Sequence, residues 1–291
     1  MVAAVMPKSK SGEFTGHAMG QSVRIVTSLL PGLITAKSFE PDVAVVVDVL
    51  RATSVMTAAF GSGVKQIFTC CDVLEAVSLA DQIASCEQGN QRPLLCGERS
   101  CKPIFGFDYG NSPSEYTPSR VRGKTMILTT TNGTKAIQAA SSAKRLITAS
   151  FLNLPTVVKV LRGAGLVHLV CSGTDGQITG EDVMLVGAII DACRVEYMVE
   201  LEDDESRMAF SFWSSCVSMS ERSPWVSLKN GKGKQISNLL AKLFGSTLGG
   251  ANLSNLGFGQ DLERCAQIGT QSVVGVRSQQ NPTAFDLLAW D

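Results

Sequence analysis

An α/β fold with a largely parallel sheet is what this sequence predicts, and three observations carry the expectation. Short apolar strands alternate with helix-period segments along most of the chain, the rhythm of repeated βαβ units. The run Val43–Val47 is apolar and β-branched with no polar alternation, as in a parallel strand buried on both faces. Polar and charged clusters recur just after the strands, where open α/β sheets bind ligands. At 291 residues and 44% hydrophobic content, the chain has material for one large α/β domain or two smaller ones.

In chain order the expected strands are VRIVT (23–27), VAVVV (43–47), QIFTC (66–70), PLLCG (93–97), TMILT (125–129), RLITA (145–149) and VHLVC (167–171). Helical patterns lie between and after them at 73–86, 135–143, 154–162 and 181–199. The acidic stretch Glu200 to Glu205 reads as a solvated connector, and Lys229 to Lys234 as an exposed loop. No internal repeat has a fixed period.

Composition excludes several classes. Charged residues are 18% of the chain and balance at 26 basic and 26 acidic, which argues against disorder and against broad attraction to nucleic acid or an anionic membrane. Any anion site must therefore be local. The nine cysteines are odd in number and lack paired CxxC spacing, so reduced, mostly buried thiols in a cytoplasmic setting are expected. The longest apolar run, Val183 to Ile190, is far too short to span a bilayer. Residues 1–20 read as a flexible tail, with a weak organellar transit peptide as the alternative.

Four constellations carry candidate chemistry. In VAVVVDVLRATS, Asp48 and Arg51 follow a buried strand: Asp48 can ligate a hard cation and Arg51 can fork onto phosphate, sulfonate or carboxylate oxygens. A strand-end salt bridge is the competing reading. In LTTTNGT, Thr131, Asn132 and Gly133 form a turn that aims N–H groups and hydroxyls at one point, or else an ordinary turn with Thr134 capping a helix. In CSGTDGQITGED, Ser172 and Gly173 can donate to an oxyanion while Glu181 or Asp182 supplies a base or metal ligand. The Thr179–Asp182 spacing equally suits a capping box. The loop 96–120 is too long for a routine connection, and its four aromatic rings argue against disorder. It offers Glu98, Arg99 and Lys102 at its start and Asn111 and Ser112 further on.

Familiar signatures are absent. There is no GxxxxGK[ST], and GSGVKQ at Gly61 has Gln66 where a third glycine belongs. No Arg follows Cys171 in SGTDGQIT, which argues against a cysteine-phosphatase loop, and Leu50 stands where haloacid-dehalogenase-type phosphatases need a second Asp. His168 inside LVHLV reads as a core histidine.

Taken in order, DVLRATS, GER, GNSPSEYT, LTTTNGT, SFLN, CSGT, EDVMLVGAI and DLERCAQ closely resemble the 2-phosphosulfolactate phosphatase family, the ComB-type enzymes of coenzyme M biosynthesis. The resemblance implies a Mg²⁺-dependent phosphatase that converts 2-phospho-3-sulfolactate to 3-sulfolactate and phosphate. It also implies two α/β lobes with the site between them, here a first lobe at 21–153, a second at 154–277 and a C-terminal tail at 278–291. Carried over by motif, Asp48 and Glu98 are metal-side carboxylates, and Arg51 is an anion clamp. Thr131, Asn132, Gly133 and Ser172 are ligand contacts and Glu181 and Asp182 further acidic site residues; with Asn111 and Gly173 added from the loop and turn readings above as substrate contacts, the expected catalytic set is Asp48, Arg51, Glu181 and Asp182. Ser100 and Cys101 depart from the family, which tends to have glycines there. Water or Asp48 itself attacks phosphorus in line, and the sequence leaves both open. The expected partner is a small anionic phosphate or sulfonate substrate, with no nucleic acid or membrane, and a homodimer stays open. A non-catalytic binder of phosphorylated or sulfonated acids on the same scaffold is the alternative function.

Overall fold

The computed structural model describes residues 22–34, 40–86, 92–217 and 223–288, so the expected tail at 1–20 lies outside the described residues. The strands are β1 (Val23–Ser28), β2 (Val43–Val47), β3 (Gln66–Cys70), β4 (Leu94–Arg99), β5 (Lys102–Pro103), β6 (Thr125–Thr129), β7 (Arg145–Ala149), β8 (Leu166–Cys171), β9 (Val199–Leu201), β10 (Gly275–Arg277) and β11 (Ala284–Leu287). The helices are α1 (Ala52–Gly61), α2 (Val73–Cys86), α3 (Pro118–Val121), α4 (Gly133–Ala139), α5 (Leu154–Leu161), α6 (Gly180–Glu196), α7 (Asp204–Cys216), α8 (Pro224–Ser227), α9 (Gly233–Phe244), α10 (Leu248–Asn255) and α11 (Gly259–Cys265).

Among the described residues all strands join one 11-stranded sheet in the order β5-β4-β6-β3-β11-β10-β7-β2-β8-β1-β9. It holds two parallel blocks, β4-β6-β3 and β7-β2-β8-β1-β9. The antiparallel hairpin β10-β11 stitches them together, pairing Val276 with Ile147 on one side and Phe285 with Ile67 on the other. The segment expected as a C-terminal tail from 278 therefore includes a central strand, and Phe285 is fully buried. Strands of both expected lobes share the sheet, with Val45 of β2 opposite Leu169 of β8.

The sheet curls about α1. Ala44 and Val46 of β2, Leu94 and Cys96 of β4, Met126 and Leu128 of β6 and Phe285 of β11 share one core cluster with Val55, Met56, Ala59 and Phe60. Every residue from Ala52 to Phe60 is buried, as expected of a helix with no polar face. Its hydroxyls fold back onto carbonyls, Thr53 to Asp48 and Ser54 to Val49, each at 2.8 Å. The alternate residues of β2, Val43, Val45 and Val47, face the other side and pack with α5, α6, α7 and α9. Core packing leaves α6 little exposed surface, and at Gly187 a Cβ would lie 2.3 Å from the Ala209 carbonyl of α7.

The stretch 200–205 is not a connector: it contributes β9, and Asp203 caps α7, accepting from Ser206 N at 2.8 Å and Thr27 N at 2.8 Å. An acidic run becomes structured here because edge pairing and a helix start both use it. The loop 96–120 is packed, with Tyr116 buried and its hydroxyl donating to Gly110 O at 2.6 Å. Among the described residues no helix is long and apolar enough to cross a membrane.

His168 is the core histidine its setting suggested, buried with Nε2 2.9 Å from Ser28 Oγ. Burial pushes its imidazole down to about 4, with the Asp203 charge opposing. An unfolded histidine titrates near pH 6.5, so this stabilisation is whole above about 6.5 and is lost as pH falls toward 4. His168→Gln should flatten that segment of the urea-midpoint-versus-pH curve relative to wild type. In a second test of the fold, Gly187→Ala should destabilise by about 1–3 kcal/mol in urea melts, through overpacking of α6 on α7.

Candidate active site

Curling about α1 brings together strand ends that are far apart in sheet order. After β2 the chain turns into α1, and Asp48 Oδ1 accepts the Ala52 N–H at 3.0 Å. The turn after β6 crosses directly above it. A Cβ on Gly133 would lie 2.7 Å from Asp48 Oδ2 and 2.6 Å from Ala52 Cβ, so only glycine permits this approach. Glu98, at the end of β4, is fixed by two backbone donors, Thr131 N to Oε1 at 2.8 Å and Cys101 N to Oε2 at 2.7 Å. Gly97 beside it has φ 142°, and a Cβ there would fall 1.9 Å from Thr129 O.

These groups line a cavity of about 330 Å³ with residues from both expected lobes. Of the residues predicted from sequence, Asp48, Arg51, Glu98, Asn111, Thr131 and Asn132 are in its wall, and Gly133 supports Asp48 from above. Asn111 Oδ1 and Thr131 Oγ1 are buried without hydrogen-bond partners among the described residues. Asn132 begins α4 in place of the expected Thr134, whose hydroxyl donates to Thr130 O at 2.8 Å. Arg99 points away from the cavity and ties β4 to β6 through Thr129 Oγ1 at 2.8 Å.

Ser172, Gly173, Glu181 and Asp182 stand behind the wall. Asp182 does not cap α6. Its Oδ1 accepts Val49 N at 2.8 Å, and its Oδ2 accepts Ser172 Oγ and Gly173 N, each at 3.0 Å. The donors of Ser172 and Gly173 are thereby directed at Asp182 and brace the turn that carries Asp48. Glu181 is 1% exposed, its Oε2 has no hydrogen-bond partner among the described residues, and its Oε1 would lie 2.2 Å from a Cβ on Gly249. Glycine at 249 thus lets α10 settle against Glu181, and α10 in turn supplies Asn252 and Asn255 to the cavity wall.

The acids feel one another. Burial raises the Asp48 carboxyl to about 6, the Glu98 and Glu181 charges add to this, and the Ala52 N–H and Ser172 hydroxyl oppose it. Burial, then the charges of Asp48 and Glu181, push Asp182 well above the usual carboxylate range, and burial raises Glu181.

Arg51 is 3% exposed and fixed on three sides. Nη1 donates to Asp261 Oδ2 at 2.5 Å, Nη2 donates to Cys101 O at 2.9 Å, and the Phe258 ring centroid lies 4.6 Å from the guanidinium carbon. Both readings of Arg51 therefore coexist, since it forms a buried ion pair and also lines the cavity. Sequence reasoning missed Asp261 and α10. The motif DLERCAQ contained the first, and the second lies in GGANLSN, whose glycines and amides carry no periodic signal.

A family profile described as 2-phosphosulpholactate phosphatase matches residues 29–280. The chain is 34% identical over 239 residues to a protein of Carboxydothermus hydrogenoformans, covering 82% of this chain and 87% of that one. It is 37% identical over 169 residues to one of Caldanaerobacter subterraneus subsp. tengcongensis (58% of this chain, 67% of that one). It is 42% identical over 147 residues to one of Thermotoga maritima (50% and 60%). Each of the three is named a probable 2-phosphosulfolactate phosphatase.

Gly133→Ala should press on both the Asp48 carboxylate and Ala52 of α1. The expected result is a loss of about 10²-fold in phosphate-ester turnover, as for an approximately 1 Å misplacement of a reacting group, together with a destabilisation of about 1–3 kcal/mol in urea melts.

Proposed function

Because the chain belongs to the 2-phosphosulpholactate phosphatase family, we propose that it hydrolyses the phosphate monoester of a 2-hydroxy acid with Mg²⁺ as cofactor. The substrate proposed is 2-phospho-3-sulfolactate, giving 3-sulfolactate and phosphate. The observation that carries this reading is the meeting of Asp48 and Glu98, from separate parallel blocks, in one cavity with the unpartnered oxygens of Asn111 and Thr131.

Charge supports the cofactor. The cavity wall has the carboxylates of Asp48, Glu98 and Asp175 against Arg51, whose own charge is matched by Asp261. A substrate with phosphate, sulfonate and carboxylate groups is repelled by such a wall unless a cation is bound. Among the described residues no three His, Cys, Asp or Glu side chains form a metal cage. Mg²⁺ needs none, being ordinarily held by one or two carboxylates, waters and substrate oxygens. Asp48 and Glu98 would hold it, with Asn111 Oδ1 and Thr131 Oγ1 as neutral oxygen donors. When bound, it neutralises phosphate charge and stabilises the charge that develops at phosphorus.

The chain's own residues do the rest. The guanidinium of Arg51 and the amide of Asn132 hold substrate oxygens in the wall. Asp48 takes the proton of the attacking water as the bond from phosphorus to the C2 oxygen breaks, a solvent proton completes the hydroxyl of the departing 2-hydroxy acid, and the brace from Asp182 through Val49 N, Ser172 and Gly173 keeps the Asp48 turn in place. Direct attack by the Asp48 carboxylate is the rival route. A phosphoryl group found covalently on the acid-quenched enzyme would establish it.

The test is phosphate release from 2-phospho-3-sulfolactate, 2-phospholactate and phosphoglycolate, with Mg²⁺ and with EDTA. Metal-dependent release that prefers the sulfonate is expected, and Asp48→Asn should lower kcat by about 10³-fold. Absence of release from all three by folded, metal-supplied protein would overturn the reading in favour of a binding scaffold.

A further inference from the structure

We propose that Asp261 is the positioning residue that aims Arg51 into the substrate cavity. The proposal rests on the reading above, in which Arg51 binds substrate oxygens. Asp261 is not in the wall of that cavity. It lines a second one, of about 250 Å³, which shares Arg51 and Asn111 with the first. The guanidinium is thus part of a partition, with Asp261 on its far side.

A guanidinium on a long side chain has many rotamers, and its value to a ligand depends on which way its planar fork faces. Here Asp261 fixes the fork through Nη1, and Cys101 O holds Nη2 at 2.9 Å, two of the five donors. Phe258, three residues before Asp261, stacks on the flat face. Asp261 is itself held, because Ser112 Oγ donates to its Oδ1 at 2.5 Å. The chain of contacts Ser112–Asp261–Arg51 joins the loop 96–120, α11 and the turn after β2. Since both charges are buried and mutually neutralising, Arg51 offers substrate a fixed direction more than a free positive charge.

A purely structural ion pair would produce the same picture, so the test is a coupling experiment. Asp261→Asn is made in wild type and in Arg51→Ala, with kcat and KM for 2-phospho-3-sulfolactate and the Kd of inorganic phosphate measured in Mg²⁺ on melt-checked protein. In wild type, Asp261→Asn should raise KM and the phosphate Kd by about tenfold with a smaller effect on kcat; in Arg51→Ala it should change neither by more than about twofold. Equal effects in both backgrounds, or a lowered melting temperature with unchanged constants, would overturn the positioning role. Where Asp261→Asn does not fold, Ser112→Ala takes its place in the cycle, with about two- to threefold effects expected in the same direction. Coupled phosphate binding without ester hydrolysis would support the role of Asp261 and sink the phosphatase reading, whereas a wild type that neither binds phosphate nor hydrolyses the ester would overturn both.

Discussion

The contact of Gly133 with the Asp48 carboxylate is the constraint on which the site depends. β6 and β2 lie five places apart in sheet order, a separation of roughly 24 Å in a flat sheet at about 4.8 Å per strand. Their ends touch because the sheet wraps a helix made of small and apolar residues, and because position 133 has no side chain. The hairpin β10-β11 supplies the reversal of direction that joins two parallel blocks into one curved surface.

Which parts of this were legible follows from the range over which each signal acts. The seven strands expected from sequence are all present, because a run such as VAVVV records burial on both faces within five residues. Val73–Cys86 is helical as expected, whereas the helix expected at 181–199 ends at Glu196, where the chain turns into the edge strand β9. The strands β9, β10 and β11 are three or four residues long and owe their conformation to neighbours distant in sequence. No local pattern announces that residues 284–287 fill the centre of a sheet.

The site was legible as residues but not as layers. Asp48, Glu98 and the TTNG turn each follow a strand, so their common cavity agrees with the rule that sheets bind ligands at strand ends. Asp182 looked like a helix cap on spacing alone, yet it faces the sheet and takes donors from β2 and β8 ends. The long-range pairing of Arg51 with Asp261 spans 210 residues, and nothing in the local sequence of either reports the other. Ser100 and Cys101, which replace the glycines expected of the family, have φ of 51° and 64°. The backbone there keeps the left-handed path glycine favours even though the side chains resist it, and it is this path that points Cys101 N at Glu98 and Cys101 O at Arg51.

Buried acids normally weaken a fold, and this one gathers Asp48, Glu181 and Asp182, while among the described residues the cation in the cavity wall, Arg51, is paired with Asp261. Their folded-state titration is shifted upward, so the stability they confer is present at acid pH and is lost as pH rises through the folded values. Asp48 follows β2, and Glu181 and Asp182 lie in the first turn of α6, so that unfavourable charge borders elements whose apolar residues build the two larger core clusters. Such an arrangement is poor for stability, and a ligand that binds only the native state returns what is lost.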